Sequence, residues 1–161
     1  MIESAELYKP NADKAAMRVA INGVMLASLV LVLTIIFLDQ AKYSLIVTTQ
    51  LTLAVPMLFM SCLAYAKTGY KKEVRLWNHL GYVTNIFGNM AFINAVGIMV
   101  APVSTLASLT YFALMVVLLF VYSLINLIYE PKTVAEQIIK FIFPVSLIIA
   151  GGILPLLLFV K

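Results

Sequence analysis

The side chains of this chain that could do chemistry are mainly amides and hydroxyls rather than acids and bases. They concentrate in the stretch from Asn78 to Ala101, NHLGYVTNIFGNMAFINAVGIMVA. It holds Asn78, Asn85, Asn89 and Asn94, the hydroxyl of Thr84, and the glycines Gly81, Gly88 and Gly97. A carboxamide both donates and accepts hydrogen bonds and carries no charge. Buried in an apolar medium it must find partners. Those partners are either neighbouring helices or a polar solute.

Acid–base chemistry has few candidates. His79 is the only histidine, and the carboxylates worth naming are Asp39, Glu73, Glu130 and Glu136. No base stands near any serine in sequence, so a nucleophile–base arrangement is not in view. His79, between Trp77 and Arg75, reads first as an interfacial residue. Cys62 is the one cysteine, which allows no intrachain disulfide and no Cys/His metal cluster. No catalytic residue, cofactor or metal site is therefore expected.

The elements that must position these amides follow from composition. Of the 161 residues, 63% are hydrophobic and only 11% are charged. Mean hydropathy is +1.05. A soluble domain of this size leaves much of its surface in water and cannot hide so many apolar side chains. The class is therefore an all-α integral membrane protein, a single transmembrane domain.

Five apolar segments are long enough to cross about 30 Å of hydrocarbon at ~1.5 Å per residue. They lie at about 19–38, 44–66, 80–101, 109–129 and 138–160. In the first, Ala16, Ala20, Gly23 and Ala27 share one side, a spacing that predicts a packing face. The second holds Thr48, Thr49, Gln50, Thr52, Ser61 and Cys62, and Pro56 is expected to bend it. The third is the most polar and is read as the central helix. Asn78, Tyr82, Asn85 and Asn89 share one of its faces, and Asn94 lies opposite, so it should meet protein or water nearly all round. The last carries Pro144, Gly151, Gly152 and Pro155. These predict a kinked helix with a hinge, in preference to a re-entrant hairpin. Asn11 or Asp13 suits the cap of the first helix, and Thr133 with Glu136 matches a capping box before the last.

Orientation follows from counting cations. With the loop carrying Lys67, Lys71, Lys72 and Arg75 in the cytoplasm, nine of the eleven Lys and Arg lie inside, and Lys42 and Lys161 lie outside. The positive-inside rule then places the N-terminus in the cytoplasm. The start, MIESAELYKPNADK, lacks a basic stretch followed by a short apolar run, so no cleavable signal is expected. The net charge of +4 is explained by topology rather than by nucleic acid. The basic loop serves as a topology signal and, next, as a contact for anionic lipid headgroups, at about 1 kcal/mol per charge. A plasma or inner membrane is the expected location.

The apolar cores of the five spans carry no Asp, Glu, Lys, Arg or His, Lys140 standing at the entry to the last. Intramembrane ionisable groups usually mark proton relays and ion-coupled transport. Instead, Asn22, Ser61, Asn85, Tyr122 and Asn126 fall in the cytoplasmic third, with Asn89 nearer the middle. This polar layer either glues the bundle together, at about 0.6–2 kcal/mol per interhelical bond, or lines a pore. The leading functional expectation is an oligomeric pore or transport-like bundle. The alternative is a non-catalytic accessory subunit of a larger membrane complex, and the third is a small lipid-acting enzyme using His79 or Glu130.

Overall fold

The computed structural model describes residues 11–39, 42–70, 74–129 and 134–159. Among these every regular element is helical. They are α1 (Ala12–Leu38), α2 (Leu45–Thr68), α3 (Arg75–Val100), α4 (Thr105–Tyr129), α5 (Val134–Ile148), a π-helical turn (Ile149–Ile153) and α6 (Leu154–Phe159). Five stretches of helix are long and apolar enough to cross a membrane, the last running Ile138–Leu158 through the π turn. Lys71, Lys72, Glu73, Glu130 and Thr133 lie outside the described residues.

Asn11 caps α1. Its backbone is extended, and its side chain accepts the Lys14 N–H at 2.8 Å. This satisfies one of the four N–H groups that a helix start leaves without a partner. α2 passes through Pro56 without interruption. α5 likewise passes through Pro144, and the last span is one helix that widens to π geometry at the two glycines.

The least hydropathic span, α3, is also the most buried, with 39% of its apolar centre buried, whereas the strongly apolar α4 has only 6% of its centre buried. In water the order would be the reverse. In lipid, polar groups seek protein partners and apolar side chains can face the solvent.

The chain divides into two compact units: Met1–Lys42 with Leu51–Asn89, and Tyr43–Gln50 with Met90–Lys161. In the first, α1 buries Ala15, Asn22, Leu29 and Ile36, a repeat of seven residues. The face expected to pack is not the one that packs within this chain. Ala16, Ala20, Gly23 and Ala27 are all exposed, and a methyl group added at Gly23 would meet nothing within 4 Å. Asn22 decides the rotation: its amide needs a partner, finds Ser61, and so turns the neighbouring small residues outward. Gly23→Ala is accordingly expected to raise stability by up to about 1 kcal/mol, the helix-propensity gain with no clash to oppose it. Thermal melts in detergent would check this.

Close approach does require glycine elsewhere in this unit. A Cβ at Gly88 would lie 2.7 Å from Leu58 Cγ, and one at Gly81 would lie 2.9 Å from the Tyr65 ring. In the second unit, Pro144, Ile148, Gly152 and Leu156 form a buried stripe at intervals of four. Phe112 is fully buried there, against Gly97 and Gly152.

Candidate functional site

The site in the second unit starts from a missing hydrogen. Pro155 has no N–H, so the Gly151 carbonyl one turn earlier loses its α-helical donor. Gln50 Nε2 donates to that carbonyl at 2.5 Å. One turn further back, Asn94 Nδ2 donates to the Leu147 carbonyl at 2.9 Å. Two side-chain amides from α2 and α3 thus hold the backbone of the last span, one just before its π turn and one within it. Such turns are local departures from α geometry that recur at functional sites.

The carbonyls fix which way each amide points. Leu147 O and Gly151 O can only accept, so nitrogen faces them and oxygen faces away. Gln50 Oε1 and Asn94 Oδ1 are both buried and have no hydrogen-bond partner. Asn94 as a whole is only 3% exposed. A buried acceptor left unpaired costs about 1–3 kcal/mol, and these two oxygens belong to amides that hold the same stretch of the last span.

The neighbours are equally tight. Ser108 Oγ donates to the Gly97 carbonyl at 2.7 Å. Cβ atoms at Gly151 and Gly152 would overlap the Asn94 amide, and one at Gly152 would also overlap the Phe112 ring. The glycines therefore let the last span approach Asn94 more closely than any side chain permits.

No family model, curated protein or solved structure matches this chain. The site's own geometry has to carry the functional reading.

The residues expected to form one polar layer are placed differently from one another. Asn22 Nδ2 donates to Ser61 Oγ at 2.8 Å, and Ser61 Oγ donates to the Gly81 carbonyl at 2.9 Å. This buried chain ties three helices of the first unit. Asn89 Nδ2 donates to Asn85 Oδ1 at 3.2 Å along α3, and Asn89 Oδ1 is buried without a partner. Tyr122 is 65% exposed, and Asn126 is half-buried. The expected single level thus includes a well-formed Asn22–Ser61 junction, while Tyr122 points outward on α4. Ser61→Ala removes both bonds of that junction. The expected loss is about 1–3 kcal/mol, read as a lowered unfolding midpoint in detergent.

Of the expected hinge residues, Gly151 and Gly152 lie in the π turn. Pro155 acts through the donor it lacks, and Pro144 is buried within α5. Among the basic residues, Lys67 sits 5.2 Å from the centre of the Tyr70 ring, and Arg75 is exposed. Arg18 lies 4.6 Å over the Tyr65 ring and donates from Nη1 to Asn78 Oδ1 at 2.8 Å. His79 is exposed, its Nδ1 2.8 Å from the Arg75 carbonyl one turn earlier. Among the described residues no three of His, Cys, Asp or Glu come together as metal ligands.

Gln50 and Asn94 were not singled out in the sequence as site residues. One signal could have found them. Pro155 orphans the carbonyl four residues before it, and in lipid that carbonyl needs a donor. Applied to the opposite third of the spans, the depth argument used for the polar layer puts Gln50, Asn94 and Gly151 at a similar level.

Proposed function

We propose that this chain is a transport-type membrane bundle in which the last span is the working part. The observation that carries this reading is the pair of amides, Gln50 and Asn94, holding the Gly151 and Leu147 carbonyls around a π turn. Irregular backbone at membrane depth belongs where it is buried in protein or lines water. A π turn inside a continuous helix is a local irregularity that recurs at functional sites. The bonds from Gln50 and Asn94 can exchange for solute contacts, and the glycines give the turn room to change its winding. In this reading the N-terminus is cytoplasmic, and Lys67 and Arg75 meet anionic headgroups on that side, Lys71 and Lys72 adding to them.

The test is solute flux through proteoliposomes. Wild type should pass a solute, and Gln50→Met should change the rate while the protein remains folded. Pro155→Ala restores an N–H to the last span and is expected to slow flux by stabilising regular helix. The Asn85→Leu/Asn89→Leu double variant probes the alternative path along α3. Absence of flux in wild type under concentration, potential and pH gradients would overturn the transport reading.

One observation favours a second reading, a subunit of a larger membrane assembly. The face of Ala16, Ala20, Gly23 and Ala27 is exposed and free of large side chains, the kind of surface through which transmembrane helices associate. Gly23→Leu separates the two. It should leave flux unchanged in the transport reading and shift the assembled size in the subunit reading.

A further inference from the structure

We propose that the oxygens of Gln50 and Asn94 form a binding site for a small, uncharged solute that donates hydrogen bonds. This rests on the transport reading for its role in permeation, but the binding itself can be tested separately.

The chemistry of the unpaired atoms carries the inference. Both are buried amide oxygens, Gln50 Oε1 and Asn94 Oδ1, and neither has a hydrogen-bond partner. Each nitrogen gives one of its two hydrogens to Gly151 O or Leu147 O. The atoms left without any partner are two acceptors, and a ligand that pairs them must bring the hydrogens. A fully deprotonated anion brings none, and both oxygens repel it. A metal cation would have to shed its hydration shell for neutral oxygens. The carbonyls of Leu147 and Gly151 are already used, and the described side chains at this turn include no carboxylate. Cation filters built from neutral oxygens need a full ring of carbonyls to replace the water. Two amide oxygens leave a buried charge largely uncompensated. A neutral O–H or N–H donor loses far less on leaving water, and it satisfies both oxygens.

Size follows from the glycines. A methyl group at Gly151 or Gly152 already overlaps the Asn94 amide. A solute larger than water therefore reaches these oxygens only when the π turn moves. Binding and a change in helix winding are then one event, and the solute exchanges its own hydrogen bonds for those that hold the turn.

Two measurements on the full-length protein test this. The first is infrared difference spectroscopy of reconstituted protein perfused with glycerol, which donates hydrogen bonds but has no carbonyl band. Potassium chloride and sodium chloride are perfused separately. Glycerol should lower the frequency of a side-chain amide carbonyl band in wild type. The shift should be lost in Gln50→Met, which keeps the length of the side chain, and in Asn94→Leu. The second is osmotic stopped-flow permeability to glycerol and urea beside potassium and sodium flux. Neutral-solute permeability should fall about tenfold in either variant, the effect of losing roughly 1.4 kcal/mol of interaction. A wild-type band shift with potassium or sodium instead of glycerol would overturn the proposal in favour of a cation site. No shift with any solute, or a glycerol shift that both variants retain, would overturn it outright. A glycerol shift that depends on Gln50, without permeability, would keep the binding site and refute the transport reading. Ion flux without a glycerol shift would do the reverse.

Discussion

Gly152→Ala is expected to destabilise the protein by about 1–3 kcal/mol, the range for forcing an extra methyl into a packed interior. The added Cβ would overlap Phe112 and lie 2.8 Å from Asn94 Oδ1. Neither neighbour can yield freely. Phe112 is fully buried, and a Cβ at Gly97 would run into the same ring. The ring is therefore held between two glycines on different elements. Gly97→Ala should cost a similar amount, and it also disturbs the carbonyl that accepts from Ser108. Phe112→Leu should recover part of the loss in either background, because it removes the atoms in collision. A double-mutant cycle by denaturant titration in mixed micelles would read this as a coupling of about 0.5–3 kcal/mol. Equal losses with and without Phe112→Leu would show that the ring is not what the glycines accommodate.

Asn94→Leu should have the second large effect. The substitution removes the donor to Leu147 O and leaves that carbonyl without its side-chain partner in a region shielded from water. An interhelical hydrogen bond in a membrane contributes about 0.6–2 kcal/mol, and an unpaired buried carbonyl costs about 1–3 kcal/mol. The larger leucine side chain must also fit beside Gly151 and Gly152, where space is already short. A loss of about 2–4 kcal/mol is expected from these effects together. Asn94→Asp separates the contributions. Its protonated form can still donate to Leu147 O, so its stability should rise as pH falls through its carboxyl pKa. Asn94→Leu should show no such dependence. Unfolding midpoints of both variants across pH 4 to 8 would check this. A pH-independent Asn94→Asp variant, as stable as wild type, would mean that the bond to Leu147 contributes little.

How much of this was legible in advance depends on the range of each interaction. The number of spans follows from local apolar content and length, and five helices are long and apolar enough to cross a membrane. Their ends do not follow the apolar runs: α1, α3 and α4 start seven, five and four residues before them. The high burial of α3 was legible too, because amides in lipid must turn toward protein. The Asn11 cap was legible because its hydrogen bond spans three residues. The face that α1 turns inward was not. Ala16, Ala20, Gly23 and Ala27 and the observed Ala15, Asn22, Leu29 and Ile36 are both helical stripes, about 140° apart at ~100° per residue, and small residues favour one while the Asn22 amide favours the other. Ser61, 39 residues away, makes the choice.

The same division runs through the site. Pro155 and the Gly151–Gly152 pair announce that the last span departs from a regular helix, since an absent N–H and two absent side chains are local facts. That the departure takes the form of a π turn, rather than a break or a hairpin, depends on which donors reach the freed backbone. Gln50 lies 101 residues from Gly151, and Asn94 lies 53 residues from Leu147. Chain composition determined that this protein belongs in a bilayer and that its buried polar groups must pair. Only the tertiary structure decided the pairs, because a hydrogen bond between distant residues depends on how helices rotate and pack. The same packing left two amide oxygens with acceptor capacity and no protein donor.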